Sequence, residues 1–573
     1  MPTMLDQFYD AGRANPFEQN RLMFEWLCDD RQRAALYREL DRTQFPVLCF
    51  KSVLRLPGRA ASDWPREDVY LMSARADIKA ALQGYSVEPY ASLESGGRFM
   101  LGLDDPNAHG AQNAAAAQAL CFTADEIRAV AREAFCRAAV QPMKQHDFDL
   151  VALAEQAALH FASLLFGLPD KAHTRLQRLV GAVYRRLTFQ IIGRHFVANP
   201  GLPPSRSADA EKLKRELKGY IRNEHVACHP DGLVKKMGLP RQTVIGRLYK
   251  HFGTPPADPE DDEVVFITLG LIAGTIGNVR AAVANAMADF FDRDQLAQAR
   301  QAAWIDDPNN TTLCGLIGDA LLRHPAAPFL ARRARCLKVR HTPIAGIPSG
   351  ALVLLAIGAD RDPALLFGGG EGFMHRCIGK RLAQPLVEEI VRGVLRLPGL
   401  AQRIDPDSGE PFGLKKRWGA SCESYPMQYQ RDRKLNQQPL FVVLPIKEPI
   451  AENARKLEIL TRAGAHIVES ALGGSGHVHY AWFCLVENKT HLAMITTYDG
   501  DFDAYVEHFA SSVDLFDQQF EFLDVEQQFP IRDHPKQFVD NIRKYNREPL
   551  GDYFFSAYPN VSVAEIRAAA GLP

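Results

Sequence analysis

The most constraining feature of the sequence is a glycine-rich run, 367–379, which holds one cysteine, Cys377, and leads directly into an amphipathic helical pattern at Lys380. Five glycines in thirteen residues predict a tight loop rather than a helix or a strand. A thiol just before a helix N-terminus lies near the positive end of the helix dipole, which favours the thiolate. Arg376 adds a neighbouring positive charge. Such a sulfur is suited to bind a metal; the alternative is a small buried apolar side chain.

The segment around Cys377 resembles the haem-ligand loop of the cytochrome P450 superfamily, whose pattern is Phe-x-x-Gly-x-His/Arg-x-Cys-x-Gly. His375, Cys377 and Gly379 match this pattern, whereas Gly370 and Phe373 stand where the family has Phe and Gly. Five further stretches resemble other motifs of the family and occur in the family's order: 103–109, 271–278, 319–325, 328–334 and 358–363. The resemblance covers roughly residues 15 to 430, and it implies a mainly α-helical, cytochrome P450-like haem domain with small β-sheets.

The resemblance also implies a cofactor and the residues that hold it. The cofactor would be haem b, iron protoporphyrin IX, with Cys377 as the axial ligand of the iron. His109, Arg332 and His375 would pair with the haem propionates, and Gly379 would belong to the loop that holds the cofactor. For the two histidines and the arginine, the alternative is a surface or helix-capping role.

The stretch 271–278 resembles the central helix that passes over the haem in this family. Monooxygenases of the family carry an acid–alcohol pair there, but the aligned residues are Ile276 and Gly277, which cannot donate a proton. Thr275 and Asn278 are the nearest polar residues, and Gly274 leaves room for a ligand beside the backbone. Two interpretations remain open: Thr275 or an ordered water delivers protons, or the oxidant already contains a reduced O–O bond.

Two more motifs depart from the family in ways that matter. Haem-thiolate isomerases of fatty-acid hydroperoxides carry an asparagine in the central helix, which Asn278 resembles. Arg280 resembles, at a shifted spacing, the arginine that holds a fatty-acid carboxylate in peroxygenases, but we favour a structural role for it. In the stretch that resembles the Glu-x-x-Arg helix, Asp319 takes the place of the acid. Arg323 lies four residues later on the same helix face, so the spacing allows the two to pair.

Length and composition restrict the class of protein. A chain of 573 residues exceeds what one core usually supports, which predicts at least two domains. The formal net charge of −1 argues against a nucleic-acid-binding protein. The ten cysteines include no Cys-x-x-Cys pair, which excludes the usual zinc and iron–sulfur spacings. Neither a signal peptide nor an uninterrupted apolar run of about 18 residues is evident, so we expect a cytoplasmic protein without a membrane span.

The sequence predicts a second domain in the last part of the chain. A polar stretch, 431–438, predicts a linker, and 436–573 predict an α+β domain. The expected elements are a strand at 440–444, a helix at 451–463, strands at 478–486 and 491–498 joined by a tight turn, and a helix at 502–511. The order β-α-β-β-α predicts a ferredoxin-like fold. His477, His479 and His491 lie on or beside these strands; a metal site is one interpretation, but we favour structural roles.

These features lead to one functional prediction and two alternatives. We predict a haem-thiolate oxidoreductase, a monooxygenase or a peroxide-using enzyme, that acts on a mostly apolar small molecule or lipid. Because no flavin or iron–sulfur domain is recognisable, electrons would come from a separate redox partner or from a peroxide. The alternatives are isomerisation of a lipid hydroperoxide without external electrons, and haem binding without catalysis.

Overall fold

The structure is a computed structural model. It describes residues 3–569 except 45–46, 54–65, 92–97, 143–146, 170–171, 180, 182–207, 224–241, 259–261, 305–310, 337–345, 360–361, 398, 430–436, 513–514, 551–553, 557 and 559–560. The predicted linker, apart from residues 437 and 438, lies outside the described residues, as do residues 360 and 361 of the turn at 358–363. The chain divides into two compact units, unit 1 from Met1–Arg431 and unit 2 from Asp432–Pro573.

Unit 1 is mainly helical. Its described helices are α1 Met4–Ala14, α2 Pro16–Cys28, α3 Asp30–Arg42, α4 Arg75–Gly84, α5 Glu88–Ala91, α6 Pro106–Ala119, α7 Ala124–Ala139, α8 Leu150–Phe166, α9 Ala208–Asn223, α10 Val244–Phe252, α11 Glu263–Asp292, α12 Leu296–Trp304, α13 Thr311–Arg323 and α14 Lys380–Leu395. The ends of these helices follow local signals. Thr123 and Glu126 form a reciprocal capping box at the start of α7, and Gly167, at φ 88°, ends α8.

Three small sheets accompany these helices. The described strands of unit 1 are β1 Val47–Val53, β2 Arg66–Met72, β3 Tyr85–Ser86, β4 Asp147–Asp149, β5 Phe329–Cys336, β6 Leu352–Ala356, β7 Ala401–Gln402, β8 Lys415–Arg417, β9 Ser421–Ser424 and β10 Pro426–Gln428. The largest sheet has the order β1-β2-β6-β5-β3, and only β2 and β6 pair in parallel. The mainly α architecture with small sheets agrees with the prediction for this part of the chain.

Helix α11 forms the centre of unit 1. It runs for 30 residues, and its N-cap Asp262 accepts a hydrogen bond from the Val264 amide. Among the described residues it is the one helix long and apolar enough to cross a membrane, but 78% of its most apolar stretch is buried inside the protein. Helices α7, α8 and α14 contribute to the same apolar cluster as α11. An apolar helix that is buried on nearly all sides is what the core of a large domain requires.

The pair of Asp319 and Arg323 that the spacing allows does not form; Arg323 instead pairs with Asp289 of α11. The Nε and Nη2 atoms of Arg323 donate to the two carboxylate oxygens of Asp289 at 2.9 and 2.5 Å. Asp289 is buried, with 1% of its side chain exposed, whereas Asp319 is exposed on the surface of α13. The spacing along one helix did not indicate this partner, because a neighbouring helix supplies the buried carboxylate.

The same ion pair belongs to a larger network that joins distant parts of unit 1. His324 lies 3.3 Å from Asp289 through Nε2 and 3.3 Å from Asp30 of α3 through Nδ1. Lys416 of β8 reaches Asp30 at 2.6 Å. Since these residues come from α3, α11, α13 and β8, the network fixes the N-terminal helices and the C-terminal strands of unit 1 to its central helix.

This network predicts a bell-shaped dependence of unit 1 stability on pH. Burial alone would raise the pKa of Asp289, but hydrogen bonds from His324 and Arg323 lower it to about 2. The stabilisation is therefore complete above the ordinary aspartate pKa of about 3.9 and is lost as the pH falls through about 2. Burial alone would lower the pKa of His324, but its hydrogen bonds to Asp289 and Asp30 raise it. That contribution is complete below about 6.5 and is lost as the pH rises through the raised pKa.

We expect the unfolding free energy of unit 1 to fall by about 1–2 kcal/mol on each side of the window between roughly pH 4 and pH 6.5. Denaturant titrations at a series of pH values measure this profile. The variant His324→Gln should lose the decline on the alkaline side, whereas the exposed control His251→Gln should keep it. An unchanged alkaline decline in His324→Gln would contradict the assignment.

Unit 2 has the element order that its sequence predicts, with further helices. Its described elements are β11 Gln437–Pro445, α15 Ile450–Ala463, α16 Ala465–Ser475, β12 Val478–Val486, β13 His491–Asp499, α17 Phe502–Ser512, α18 Leu515–Phe520, α19 Pro535–Tyr545 and α20 Val563–Ala569. The predicted tight turn between β12 and β13 has φ values of 51°, 57° and 68° at Glu487, Asn488 and Lys489. The helices α16, α18, α19 and α20 were not predicted.

The ferredoxin-like prediction for unit 2 remains a prediction. The three described strands form an antiparallel sheet in the order β11-β13-β12, which is the arrangement of the first three strands in such a fold. A fourth strand is absent from the described residues at the outer edge of β11. In that place an isolated bridge joins Val442 to Asn546, and a second joins Ile446, directly after β11, to Leu523.

Candidate functional site

The cysteine loop folds back on itself, and this explains two of its glycines. The Cys377 amide donates to the Phe367 carbonyl at 2.8 Å, which closes the loop between its two ends. Gly368 has φ 76°, and a Cβ there would lie 2.9 Å from the His375 carbonyl oxygen. Gly369 has φ 107°, and a Cβ there would collide with the Phe373 ring. The loop is therefore held in one shape that presents Cys377 and His375 two residues apart.

The Cys377 thiol is affected by opposing influences. Its side chain is reached by solvent, yet it is surrounded densely enough that desolvation raises its pKa. The amides of Gly379 and Lys380 donate to the sulfur and oppose this rise, as does the charge of Lys380. The predicted low pKa was therefore wrong for the free thiol, because desolvation outweighs the helix N-terminus. The nearby cation that acts on the sulfur is Lys380 rather than the expected Arg376.

Three basic groups from distant parts of the chain meet beside this loop. His109 lies on α6, Arg332 on β5 and His375 in the loop. The rings of His109 and His375 are in edge-to-face contact, with 4.6 Å between their centroids. Arg332 is 3% exposed and lies over the Tyr90 ring at 5.7 Å. The structure thus brings together the three residues that the sequence assigned to the propionates.

The nitrogen atoms of this basic cluster, defined as His109, Arg332 and His375, are not all satisfied. Within the described part of the chain, Nε of Arg332 and both ring nitrogens of His375 are buried without a hydrogen-bond partner. Desolvation and the charges of Arg332 and His109 lower the pKa of His375 to about 3. Desolvation also lowers the pKa of His109 and of Arg332. Buried donors of this kind are costly unless a partner accepts from them, so the cluster fits an anionic ligand such as a carboxylate.

The middle of α11 has an open face. Most residues of this helix are buried, but Gly274 and Asn278, one turn apart, are exposed, and Ala273 and Thr275 are partly exposed. A Cβ at Gly274 would meet nothing within 4 Å. Helix α14, which begins directly after the cysteine loop, belongs to the same core as α11. A stripe of small and polar residues on a core helix indicates that this side borders open space rather than packed side chains.

The polar groups on this face are partly committed to the helix itself. The Thr275 hydroxyl donates to the Leu271 carbonyl at 2.8 Å, and the Asn278 amide nitrogen donates to the Gly274 carbonyl at 2.8 Å. Ile276 and Gly277, which occupy the acid–alcohol positions, are both buried. Arg280 donates to Glu155 at 2.6 Å, in agreement with the structural role favoured for it.

Sequence reasoning missed residues that shape this region. Phe99 packs so closely across Gly270 of α11 that a Cβ at Gly270 would lie 2.5 Å from its ring. Gln112 holds the segment before Phe99 by donating to the Arg98 carbonyl at 2.7 Å. A glycine at 270, one turn before Gly274, was the available signal for close approach at this point, but nothing in the sequence identified Phe99 as the partner.

The histidines of unit 2 have structural contacts. His479 Nε2 lies 2.8 Å from the buried Asp499 carboxylate, whose other oxygen accepts from the Val563 amide at 2.6 Å. His491 contacts Thr490 at 2.8 Å. Among the described residues, no group of three or more His, Cys, Asp or Glu side chains could hold a metal ion. The structural interpretation of these histidines agrees with these contacts.

Comparison with known proteins gives a distant structural similarity. No protein-family model and no curated protein matches the sequence. The chain is similar to the crystal structure of CalO2, with 19% identity, a TM-score of 0.49, and coverage of 70% of this chain and 96% of that one. It is also similar to cytochrome P450 CYP109Q5 from Chondromyces apiculatus, with 15% identity, a TM-score of 0.49, and coverage of 71% and 96%. A third similar structure is P450BioI in complex with hexadec-9Z-enoic acid ligated acyl carrier protein, with 16% identity, a TM-score of 0.47, and coverage of 71% and 100%.

Proposed function

We propose that unit 1 binds iron protoporphyrin IX through Cys377 and acts as a haem-thiolate oxidoreductase on a mostly apolar small molecule. The observation that carries this proposal is the basic cluster, with its partnerless buried nitrogens, two residues from a thiol that solvent reaches. A porphyrin of this kind needs one ligand for its iron and cationic or hydrogen-bonding partners for its two carboxylates. When bound with a thiolate ligand, it supplies the redox chemistry of O–O bond cleavage.

The residues of the loop would supply and support the sulfur that binds the iron of the cofactor. Cys377 loses its proton when it binds a metal, which offsets the raised pKa of the free thiol. The amides of Gly379 and Lys380 donate to the sulfur and would orient it and share its charge. His109, Arg332 and His375 would donate to the propionates, which would satisfy Nε of Arg332 and the one N–H of the neutral His375 ring.

The open face of α11 would border the reacting groups. Gly274 leaves space for a ligand, and Asn278 offers the exposed amide on this face. The Thr275 proton is directed to the Leu271 carbonyl, and no acid stands at the aligned positions 276 and 277. This arrangement supports an oxidant that arrives as a peroxide over one that requires protons from a side-chain relay. If electrons are instead used, a separate redox partner would supply them.

A second candidate function is the rearrangement of a lipid hydroperoxide without external electrons. The exposed Asn278, whose amide is oriented by the Gly274 carbonyl, is the observation that favours it. Product formation from a fatty-acid hydroperoxide in the absence of any reductant would support this candidate over substrate oxidation. Full haem loading without turnover by any oxidant would favour a binding protein.

The proposal predicts the absorption spectrum of the reduced, carbon-monoxide-bound protein. We expect the wild-type chain to show the red-shifted Soret band of a thiolate ligand, and Cys377→Ser to lose it. The control is Cys121→Ser, an exposed cysteine of the same unit, which should retain the band. An identical spectrum in Cys377→Ser and wild type, or no haem uptake by the wild type, would overturn the proposal.

A further inference from the structure

Unit 2 contains an apolar cavity. It offers about 40 Å³ of space between the helix-covered side of the sheet and the helices α16, α17, α18 and α19, and it is partly open to solvent. A single buried water needs roughly 10–15 Å³ on this scale, so the cavity has room for a molecule larger than water. Natural cores contain few voids larger than a water molecule, and this makes an open space inside a small domain a candidate binding site.

The wall of the cavity defines which ligands it fits. Its floor is formed by the sheet residues Leu440, Phe483 and Met494, and Phe509 and Phe538 close it from the helices. None of the described residues that line it carries a charge. A charged ligand would lose its hydration there without compensation, whereas a neutral ring would pack against the aromatic side chains.

One polar group lies in this apolar wall. The Tyr505 hydroxyl is 2.9 Å from the Thr496 hydroxyl, and both residues line the cavity. Burial raises the pKa of Tyr505, which keeps its hydroxyl neutral. A pair of hydroxyls holds one hydrogen between them and leaves lone pairs on both oxygens, so the pair has capacity to accept from a ligand.

Helix α16 covers the cavity loosely. Val468 and Leu472 line the cavity, but five of the first six residues of this helix are exposed, including Ile467 at 43%. A helix held by so few buried side chains opens at a low free-energy cost, because local opening depends on local apolar contacts. Since the cavity is already partly open to solvent, opening of α16 would widen its entrance.

We propose that unit 2 is a binding module for a small, neutral, apolar ring compound with one hydrogen-bond donor. The ring would occupy the space between the sheet and α17, and its donor would meet the Tyr505 and Thr496 hydroxyls. This site lies wholly within unit 2 and does not depend on the function proposed for unit 1.

The test measures binding of indole, a neutral ring with one N–H donor, to the full chain by equilibrium dialysis. Because indole also suits an apolar site in unit 1, the comparison is between variants of unit 2. Val468→Phe fills the cavity from α16 and should weaken binding at this site at least about tenfold. The matched control, Ile467→Phe, adds the same side chain one residue earlier on the exposed face and should leave binding within about twofold of the wild type.

A second filling variant, Ala481→Leu on the sheet side, keeps the test decisive if Val468→Phe fails to fold. Benzoate, which has a ring of similar size but carries a charge, should not occupy the site. Loss of one indole site per chain in the filling variants, but not in the control, would support the proposal. Equal indole binding by wild type and both filling variants, or no binding by the wild type, would show that the cavity is a packing void and overturn it.

Discussion

Replacing Asp289 with alanine is expected to lower the unfolding free energy of unit 1 by about 3–5 kcal/mol. The substitution removes a buried carboxylate that accepts two hydrogen bonds from Arg323 and lies within 3.4 Å of Arg293. Arg323, with 15% of its side chain exposed, would then keep its charge without that partner. Such a loss is larger than the cost of the missing contact, because the remaining charge stays desolvated. Guanidinium unfolding monitored by circular dichroism measures it.

The control is Asp319→Ala, at the position where the sequence alone places the partner of Arg323. Asp319 is exposed, so its removal should change the unfolding free energy by no more than about 0.5 kcal/mol. A large effect of Asp319→Ala together with a small effect of Asp289→Ala would mean that the helix pairs as the sequence suggests. Equal small effects would mean that neither carboxylate anchors α13.

Local patterns predicted the elements of the fold well, and distant partners poorly. The helix expected at 451–463 followed from local sequence signals, and the structure has a helix at Ile450–Ala463. The strand at 478–486 was predicted at the bounds it has. These signals lie within a few residues of what they control. That Arg323 pairs with Asp289 rather than with Asp319 could not be predicted. Asp289 lies 34 residues from Arg323, and their pairing depends on which helices pack together.

The same division applies to the candidate site. Separate motifs pointed to His109, Arg332 and His375. The structure places the two imidazole rings in contact and the guanidinium near them. What the sequence could not give was the balance of opposing effects on Cys377. A helix N-terminus and a neighbouring cation lower a thiol pKa, but desolvation by the surrounding atoms decides the net direction, and desolvation depends on the whole fold. The close packing of Phe99 against Gly270 could not be predicted for the same reason, because it also depends on the whole fold.

Replacing Arg332 with leucine is expected to accelerate haem loss from the loaded protein by roughly 10–150-fold. A hydrogen bond to a charged group contributes about 1.5–3 kcal/mol, and this range corresponds to that factor in affinity. The guanidinium is buried, its Nε has no partner within the described residues, and a propionate would be the group that accepts from it. The rate of haem transfer to excess apomyoglobin measures the effect without reference to catalysis.

The matched control for this prediction is Arg335→Leu on the same strand. Arg335 has 66% of its side chain exposed and lies 3.5 Å from Glu88, so its loss should leave the rate of haem transfer within about twofold. If Arg332 and His375 hold propionates as parts of one cluster, their effects on haem binding overlap. The free-energy loss of haem binding in the double variant Arg332→Leu/His375→Leu should then be smaller than the sum of the losses in the two single variants. Groups that share one partner are coupled, and their individual losses overlap. Additive effects would instead mean that the two residues stabilise the bound state independently. Equally slow haem transfer in Arg332→Leu and wild type would mean that the cofactor carboxylates do not bind Arg332. The buried Nε of Arg332 would then have to bind a different ligand.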